Sequence, residues 1–377
     1  RVNRPLRRVA GTERGAGAWE EVSWDEALDD IAARLEALRA EHGPGTLASM
    51  IGGPHTSFWP LHRFMTLFGS PNNMGIGQIC WNPRIWMDVL TFGWTVEADI
   101  TDETGCVVIW GTNPAESDNS LFWRTLLRIG RSEVPLVVID PRYTRTAAAA
   151  DIWLAPRPGT DCALALGMLN VIIAEGLVDD VFVGEWCHGF DELAAHVAPW
   201  TPEAVAAECG VDADDIRRVA RMMGTMAPMG ILYGNGIGDQ AVDGHWACAS
   251  ICLIEAVTGN LDVPGGGGAP VPPGKPLVRV APIDALTERL PFSDEDRANG
   301  WCAGASALVA PETPRWYQSP ATWESGPNSA YFRALMGVAN DEPGHLRAVL
   351  GQASNPFGAT RQPARVAEAL RKLDLYV

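Results

Sequence analysis

"CVVIWGTNPAESDNSLFWRTLLRIGRSEVPLVVID", residues 106–140, joins two unbroken apolar runs through a glycine turn and a segment of helical period. Continuous Val/Ile/Leu runs belong to strands covered on both faces, as in parallel sheets, and parallel neighbours need a crossover between them. The stretch therefore predicts a βαβ unit and an α/β chain with doubly wound, mostly parallel sheets.

The pattern extends in both directions. Downstream, a helix is expected from Asp161 to about Glu175, and two more over "TPEAVAAECG" and "DADDIRRVARMMGTM". "MGILYGNG" then gives a strand and glycine turn, and "HWACASICLIEAVTGN" a helix whose Cys248 and Cys252 share one face and pack as core residues. Upstream, "SWDEALDDIAARLEALRAEHG" carries its own start and stop signals: Ser23 as N-cap, Glu26 as capping-box partner and Gly43 after the last turn. Leu28, Ile31, Leu35 and Leu38 follow helical spacing there and predict a packed face. "TLASMIGG" reads as a short buried strand. Residues 261–328 are rich in proline and glycine and read as a long surface connection. After them "HLRAVLGQASNP" and "PARVAEALRKLDLYV" restart a strand–helix–strand pattern.

At 377 residues and 47% hydrophobic content, the chain is long enough for two or three domains and buries roughly 75% of its unfolded surface. Its formal net charge of -17 disfavours nucleic acid and anionic membrane surfaces, which need a basic face. No apolar run approaches the roughly 20 residues that span a bilayer, so no membrane contact is expected through these residues. The eight cysteines contain no C-x-x-C pair, which argues against a zinc ribbon or a self-contained iron–sulfur site. Both ends read as cut, Arg1 without an initiating methionine and Val377 closing on an incomplete strand, so the compartment stays open.

Three glycine turns follow apolar strands, at 110–117, 233–240 and 351–356. Carboxyl ends of parallel strands are where open sheets bind ligands, because free N–H groups and helix N-termini favour phosphate. Three such turns imply an extended anionic ligand. Asp140 ends its strand where a carboxylate accepts ribose hydroxyls, or it caps the following segment. Asp161 either meets the N–H edge of a purine or caps its helix. "YGNGIG" lacks the third glycine of the dinucleotide fingerprint, which disfavours a simple nicotinamide dehydrogenase. Cys80, in "NNMGIGQICWNPRIW", is a buried structural thiol, a disulfide partner or a metal ligand. His55 is a candidate proton-transfer group or an ordinary core or surface histidine. Trp59, Trp81, Trp86 and Trp94 form either a core or a wall for an aromatic substrate.

In chain order, "WGTNPAES", "IDPRYTRTAAAAD", "PGTDCALALGM", "YGNGIGDQ", "TGNLDVPGGGG" and "GQASNP" resemble the successive cofactor loops of the molybdopterin oxidoreductases. That family holds molybdenum or tungsten between two pyranopterin guanine dinucleotides. "RVNRPLRRV" and "WEEVSWDEALDDIA" resemble the segment after its N-terminal iron–sulfur domain, and "ICWNPR" is similar to the branch containing acetylene hydratase and the catechol dehydroxylases. The resemblance implies two Rossmann-like domains, one discontinuous: 44–100 plus 330–377, and 101–265, with connections at 1–43 and 266–329. It implies that Cys80 ligates the metal, since a soft thiolate suits a metal already held by dithiolene sulfurs. It places Gly111, Asn113, Pro114, Glu116 and Ser117 on one dinucleotide, with Asp140 at its ribose or guanine end and Arg142 and Thr144 nearby. Gly159 and Asp161 approach a guanine, and Gly234, Asn235 and Gly236 the region near the metal. Gly351, Ser354, Asn355 and Pro356 meet the second dinucleotide.

The expected cofactor is bis-molybdopterin guanine dinucleotide with Mo or W, with a 4Fe-4S cluster in a missing N-terminal part. Trp81 stands where formate dehydrogenases place a histidine, which disfavours formate oxidation. The implied function is reductive dehydroxylation or related chemistry on a small unsaturated or aromatic substrate, with hydration and oxygen-atom transfer as alternatives. The expected partners are that small molecule and a ferredoxin-like iron–sulfur electron-transfer subunit. A non-catalytic electron-transfer subunit of the same fold is the rival reading.

Overall fold

A computed structural model describes residues 2–52, 58–70, 72–75, 82–93, 95–117, 134–241, 243–268, 331–359 and 362–377. The chain divides into two compact units, residues 1–78 with 277–377, and residues 79–276.

The first unit opens with an antiparallel pair, β1 (Leu6–Arg8) and β2 (Trp19–Glu21). The helix Trp24–His42 follows, with the capping box between Ser23 and Glu26 in place and Gly43 at its end. β3 (Leu47–Ile51) and β4 (Asn73–Gly75) join β11 (Ala348–Gln352) and β12 (Leu375–Tyr376) in a parallel sheet of order β12-β11-β3-β4. Its two faces are both covered. Ala48, Met50 and Val349 pack with Leu335, Val338, Val366 and Ala369 of the helices Tyr331–Ala339 and Pro363–Lys372. Leu47, Ala348 and Leu375 pack with Leu35 and Met65 of the helices Trp24–His42 and Phe58–Phe68. Leu35, Ile31 and Leu38 face this core, but Leu28, one turn from the start of the helix, is exposed.

In the second unit β5 (Glu97–Ala98) pairs antiparallel with β10 (Gly267–Gly268). The main sheet is wholly parallel, with order β8-β7-β6-β9, from β6 (Cys106–Trp110), β7 (Leu136–Ile139), β8 (Ile152–Leu154) and β9 (Met229–Tyr233). Along β6 the side chains alternate between two cores. Cys106, Val108 and Trp110 join the large core built on the helices Asp161–Ala174, Ala213–Thr225 and Gly244–Val257, while Val107 and Ile109 join Leu136, Val138 and Ala147 on the other face. Period-two alternation into two apolar layers is why residues 106–110 read as an unbroken hydrophobic run. Most of the crossover expected between β6 and β7, and the connection expected at 266–329, lie outside the described residues.

None of the described cysteines is in a disulfide, and Cys248 and Cys252 are fully buried. Among the described residues no helix is long and apolar enough to cross a membrane.

Candidate functional site

Strand order locates the ligand edge of each sheet. Counted along the chain, β8-β7-β6-β9 is the order 3-2-1-4, so successive strands run away from β6 on one side and then restart on the other at β9. Open parallel sheets bind ligands beyond the carboxyl ends of the strands at such a reversal, here next to the turns after β6 and β9. β12-β11-β3-β4 is the order 4-3-1-2, which puts the equivalent point between β3 and β11.

At the β6/β9 edge the two turns interlock. Gly111, with φ +61°, donates its N–H to Ile139 O at 2.9 Å, and Gly234 donates to Trp110 O at 2.9 Å. Gly236 donates to Gly111 O at 3.2 Å, and a Cβ on Gly236 would lie 2.5 Å from that same oxygen. No side chain fits where the two turns cross.

Beside this crossing, Asn113 organises the turn after β6. Its carbonyl accepts the N–H groups of Glu116 and Ser117 at 3.0 and 2.9 Å, opening the short helix Pro114–Ser117. Its amide donates to Glu116 Oε2 at 2.9 Å, and its side-chain oxygen accepts from the Thr146 hydroxyl at 2.7 Å. Thr146 is fully buried and also accepts from the Ala115 N–H at 3.2 Å. It thereby ties the turn after β6 to the segment after β7, a role the sequence reading missed.

Asp140 ends β7 as expected, and its Oδ1 accepts the Arg142 N–H at 2.8 Å in a local Asx turn. It does not cap a helix, since the next helical turn, Ala147–Ala149, starts at Thr146. Thr144 is buried and accepts the Ala147 N–H at 3.1 Å. Asp161 is the first residue of the helix Asp161–Ala174, with Thr160 as the N-cap, so the capping alternative does not describe it. Its Oδ1 instead accepts the indole N–H of fully buried Trp110 at 2.8 Å. Burial pushes the Asp161 carboxyl above its usual range, against the indole bond, and the nearby charges of Asp140 and Asp243 push it the same way. Gly159, exposed at φ +85°, leaves open space at the neighbouring turn.

At the β3/β11 edge, Gly52 donates to Gln352 O at 2.9 Å. A Cβ on Gly52 would fall 1.8 Å from Ala353 O, so backbone meets backbone there. Gly351 donates to Val377 O at 2.7 Å, and Asn355 Oδ1 accepts the Gly358 N–H at 3.2 Å next to the short helix Pro356–Ala359.

Behind the β6/β9 edge sits a buried polar cluster. Arg84, on the helix Asn82–Phe92, is 4% exposed. Its Nη1 donates to Tyr233 O at 3.1 Å and its Nη2 to Val96 O at 2.7 Å, with Glu97 Oε2 3.1 Å away. Its guanidinium carbon lies 4.6 Å from the centre of the Tyr233 ring. Asp88 accepts from the Tyr233 hydroxyl, from Cys252 Sγ at 3.2 Å and from the Val96 N–H at 3.1 Å. Glu255, 1% exposed, has neither carboxyl oxygen hydrogen-bonded, and burial, reinforced by Asp88, raises its pKa to about 8.

The molybdopterin oxidoreductase family profile matches residues 1–377. The chain belongs to this family. Acetylene hydratase of Syntrophotalea acetylenica is 32% identical over 388 aligned residues, covering 100% of this chain and 52% of that protein. Formate dehydrogenase H of Escherichia coli is 31% identical over 372, covering 97% of this chain and 50% of that protein. The solved acetylene hydratase from Pelobacter acetylenicus superposes with a TM-score of 0.80 at 29% identity, over 100% of this chain and 52% of that one. The chain thus spans about half the length of these relatives. Membership of an enzyme family named for its pterin implies a molybdenum or tungsten pterin cofactor. Cys80 and His55 lie outside the described residues, as does Trp81.

Proposed function

We propose that these residues form the central part of a catalytic subunit that binds bis-molybdopterin guanine dinucleotide with molybdenum or tungsten. What carries the reading is that both parallel sheets reverse strand order at points where glycine turns pack backbone against backbone. Two such edges suit two dinucleotides. When bound, the group supplies a redox-active metal held by dithiolene sulfurs, with Cys80 as the ligand from the protein. Gly111, Asn113, Pro114, Glu116 and Ser117 would line one dinucleotide, with Asp140, Arg142 and Thr144 toward its ribose or guanine end. Asp161 and Gly159 would meet a guanine, whose N–H groups suit a half-buried carboxylate already aimed by Trp110. Gly234, Asn235 and Gly236 would border the metal, and Gly351, Ser354, Asn355 and Pro356 the second dinucleotide.

Reductive dehydroxylation, or related chemistry on a small unsaturated or aromatic substrate, is the reaction we assign, with His55 as a proton-transfer group. A tryptophan after Cys80 supports an apolar substrate. Hydration of an unsaturated bond is the second reading, favoured by the 32% identity to acetylene hydratase along the whole chain. Electrons would come through a 4Fe-4S cluster and a ferredoxin-like partner subunit.

The test is the molybdenum, tungsten and iron content per chain of the complete protein, purified without oxygen. Stoichiometric molybdenum or tungsten with about four irons per cluster supports a catalytic subunit. Iron without either heavy metal overturns it in favour of the electron-transfer rival.

A further inference from the structure

A pocket of about 480 Å³ in the first unit, walled by Arg8, Thr12, Glu13, Arg14 and Arg371, has no part in the cofactor reading. It lies at the amino edge of that unit's parallel sheet. Arg14 binds the backbone just before β12 begins, whereas Gly52 and the turn after β11 sit at the carboxyl edge. A strand of five residues, such as β3, holds the two edges about 15 Å apart.

Helix capping accounts for Arg14. Its Nη1 donates to Leu370 O and, at 3.2 Å, to Arg371 O, and its Nη2 donates to Asp374 O at 3.3 Å, at the end of the helix Pro363–Lys372. Nothing similar accounts for Arg8 or Arg371. Among the described residues neither side chain has a hydrogen bond or an ion pair, although the chain carries 46 acidic residues against 29 basic ones. Arg7, the next residue along β1 and on its other side, meets Glu20 at 2.9 Å. The carboxylates near the pocket have other partners: Asp374 lies 3.6 Å from Arg347, and Asp30 lies 4.0 Å from Arg34. Arg34 donates to the same Asp374 O at 2.6 Å, which brings a further guanidinium beside Arg14. Burial, then the charges of Arg8 and Arg34, lower the Arg14 pKa from its ordinary value.

Gathered like charges repel, so the fold gains nothing from them unless an anion sits between. Guanidinium forks bind carboxylate or phosphate bidentately, and the charge of nearly two on a phosphate answers more than one arginine. The volume falls in the range of small-molecule sites, about 300–1,000 Å³, and exceeds what a bare ion fills. Glu13, the acid on the wall, suits hydroxyl or amino donors on the same ligand.

We infer that this pocket binds a small phosphate-bearing molecule, with Arg8 and Arg371 holding its phosphate. The inference is independent of the pterin reading.

The test is calorimetric titration of the complete protein, with its cofactor bound, at constant ionic strength. The probes are pyrophosphate, ADP and a short glutamate peptide, against wild type, R7M, R8M, R371M and R8M/R371M. Saturable binding of pyrophosphate or ADP is expected, the first pointing to free phosphate and the second to an ester. R8M and R371M should each weaken it about tenfold or more, and R7M should leave it unchanged. Urea midpoints show that the variants fold. Should R8M loosen the β1–β2 pair, R371M is judged alone, because its side chain is exposed and the carbonyl that Arg14 binds is retained. No saturable binding of either phosphate probe overturns the inference, as does undiminished binding in R8M/R371M. Binding of the glutamate peptide alone overturns it in favour of an acidic protein partner.

Discussion

At the β6/β9 edge the strands come from one continuous stretch, and the turns touch with a glycine Cα beside a carbonyl. At the β3/β11 edge the paired strands stand some 300 residues apart in sequence, and the obstructing carbonyl is closer still: 1.8 Å from a notional Cβ on Gly52 against 2.5 Å for Gly236. The edges also differ in what lies behind them. One is backed by the Arg84, Asp88 and Tyr233 cluster and an unpartnered Glu255, the other by apolar layers containing Met50 and Val349. The same strand reversal therefore rests on close backbone contact in both units, with a buried charged cluster added in one.

The sharpest way to break this comparison is Gly52→Ala. The obstacle is backbone, which cannot swing aside, so the expected loss exceeds about 3 kcal/mol, the upper end of ordinary overpacking. Gly236→Ala should cost less, and urea midpoints of the two variants decide the ranking. A larger loss at Gly236 would reverse it.

Glu255 probes the polar side of the comparison. Its carboxyl titrates near 8 in the fold against an ordinary 4.5, so between those values the folded state holds a proton that the unfolded state has released. Stability contributed by the neutral acid is thus complete below about pH 4.5 and is lost as pH rises toward 8. Glu255→Gln should flatten this slope and gain stability at pH 8, by at most about 4 kcal/mol. Parallel slopes in the two proteins, measured by denaturation across that range, would show that Glu255 is not held neutral.

A smaller effect is expected from Asp161→Ala. It strips the buried Trp110 indole of its acceptor, which costs about 1–3 kcal/mol, and lowers pterin occupancy of the complete protein. Asp161→Asn keeps an acceptor for Trp110 and so separates the two consequences: stability recovers, while occupancy stays low if the charge serves the ligand. Full occupancy in both variants would confine Asp161 to its indole.

Much of this was legible in the chain itself. Parallel strands buried on both faces leave an unmistakable run of apolar residues, and Ser23 with Glu26 announced the first long helix. The helix Asn82–Phe92 was missed although Pro83 follows its first residue, a recognised start signal, because its apolar positions are interrupted by Arg84 and Asp88. Those two charges, four apart, look like an exposed ion pair until β9 supplies Tyr233. The helix Asp180–Trp186 hid for a different reason: "DVFVGEW" is β-branched and contains glycine, and its cap, Asp179, outweighs that propensity. Asp161 was seen as a helix start, but its bond to Trp110 spans 51 residues and no local pattern encodes it.

The pairing of β3 with β11 also has a consequence in time. Residues 47–51 leave the ribosome some 300 residues before the strand 348–352 that completes their sheet on one side. At about 5–20 residues per second, β3 waits roughly 15–60 seconds, long enough for residues 79–276 to fold first. Until then its open edge is a hazard that a chaperone would have to shield.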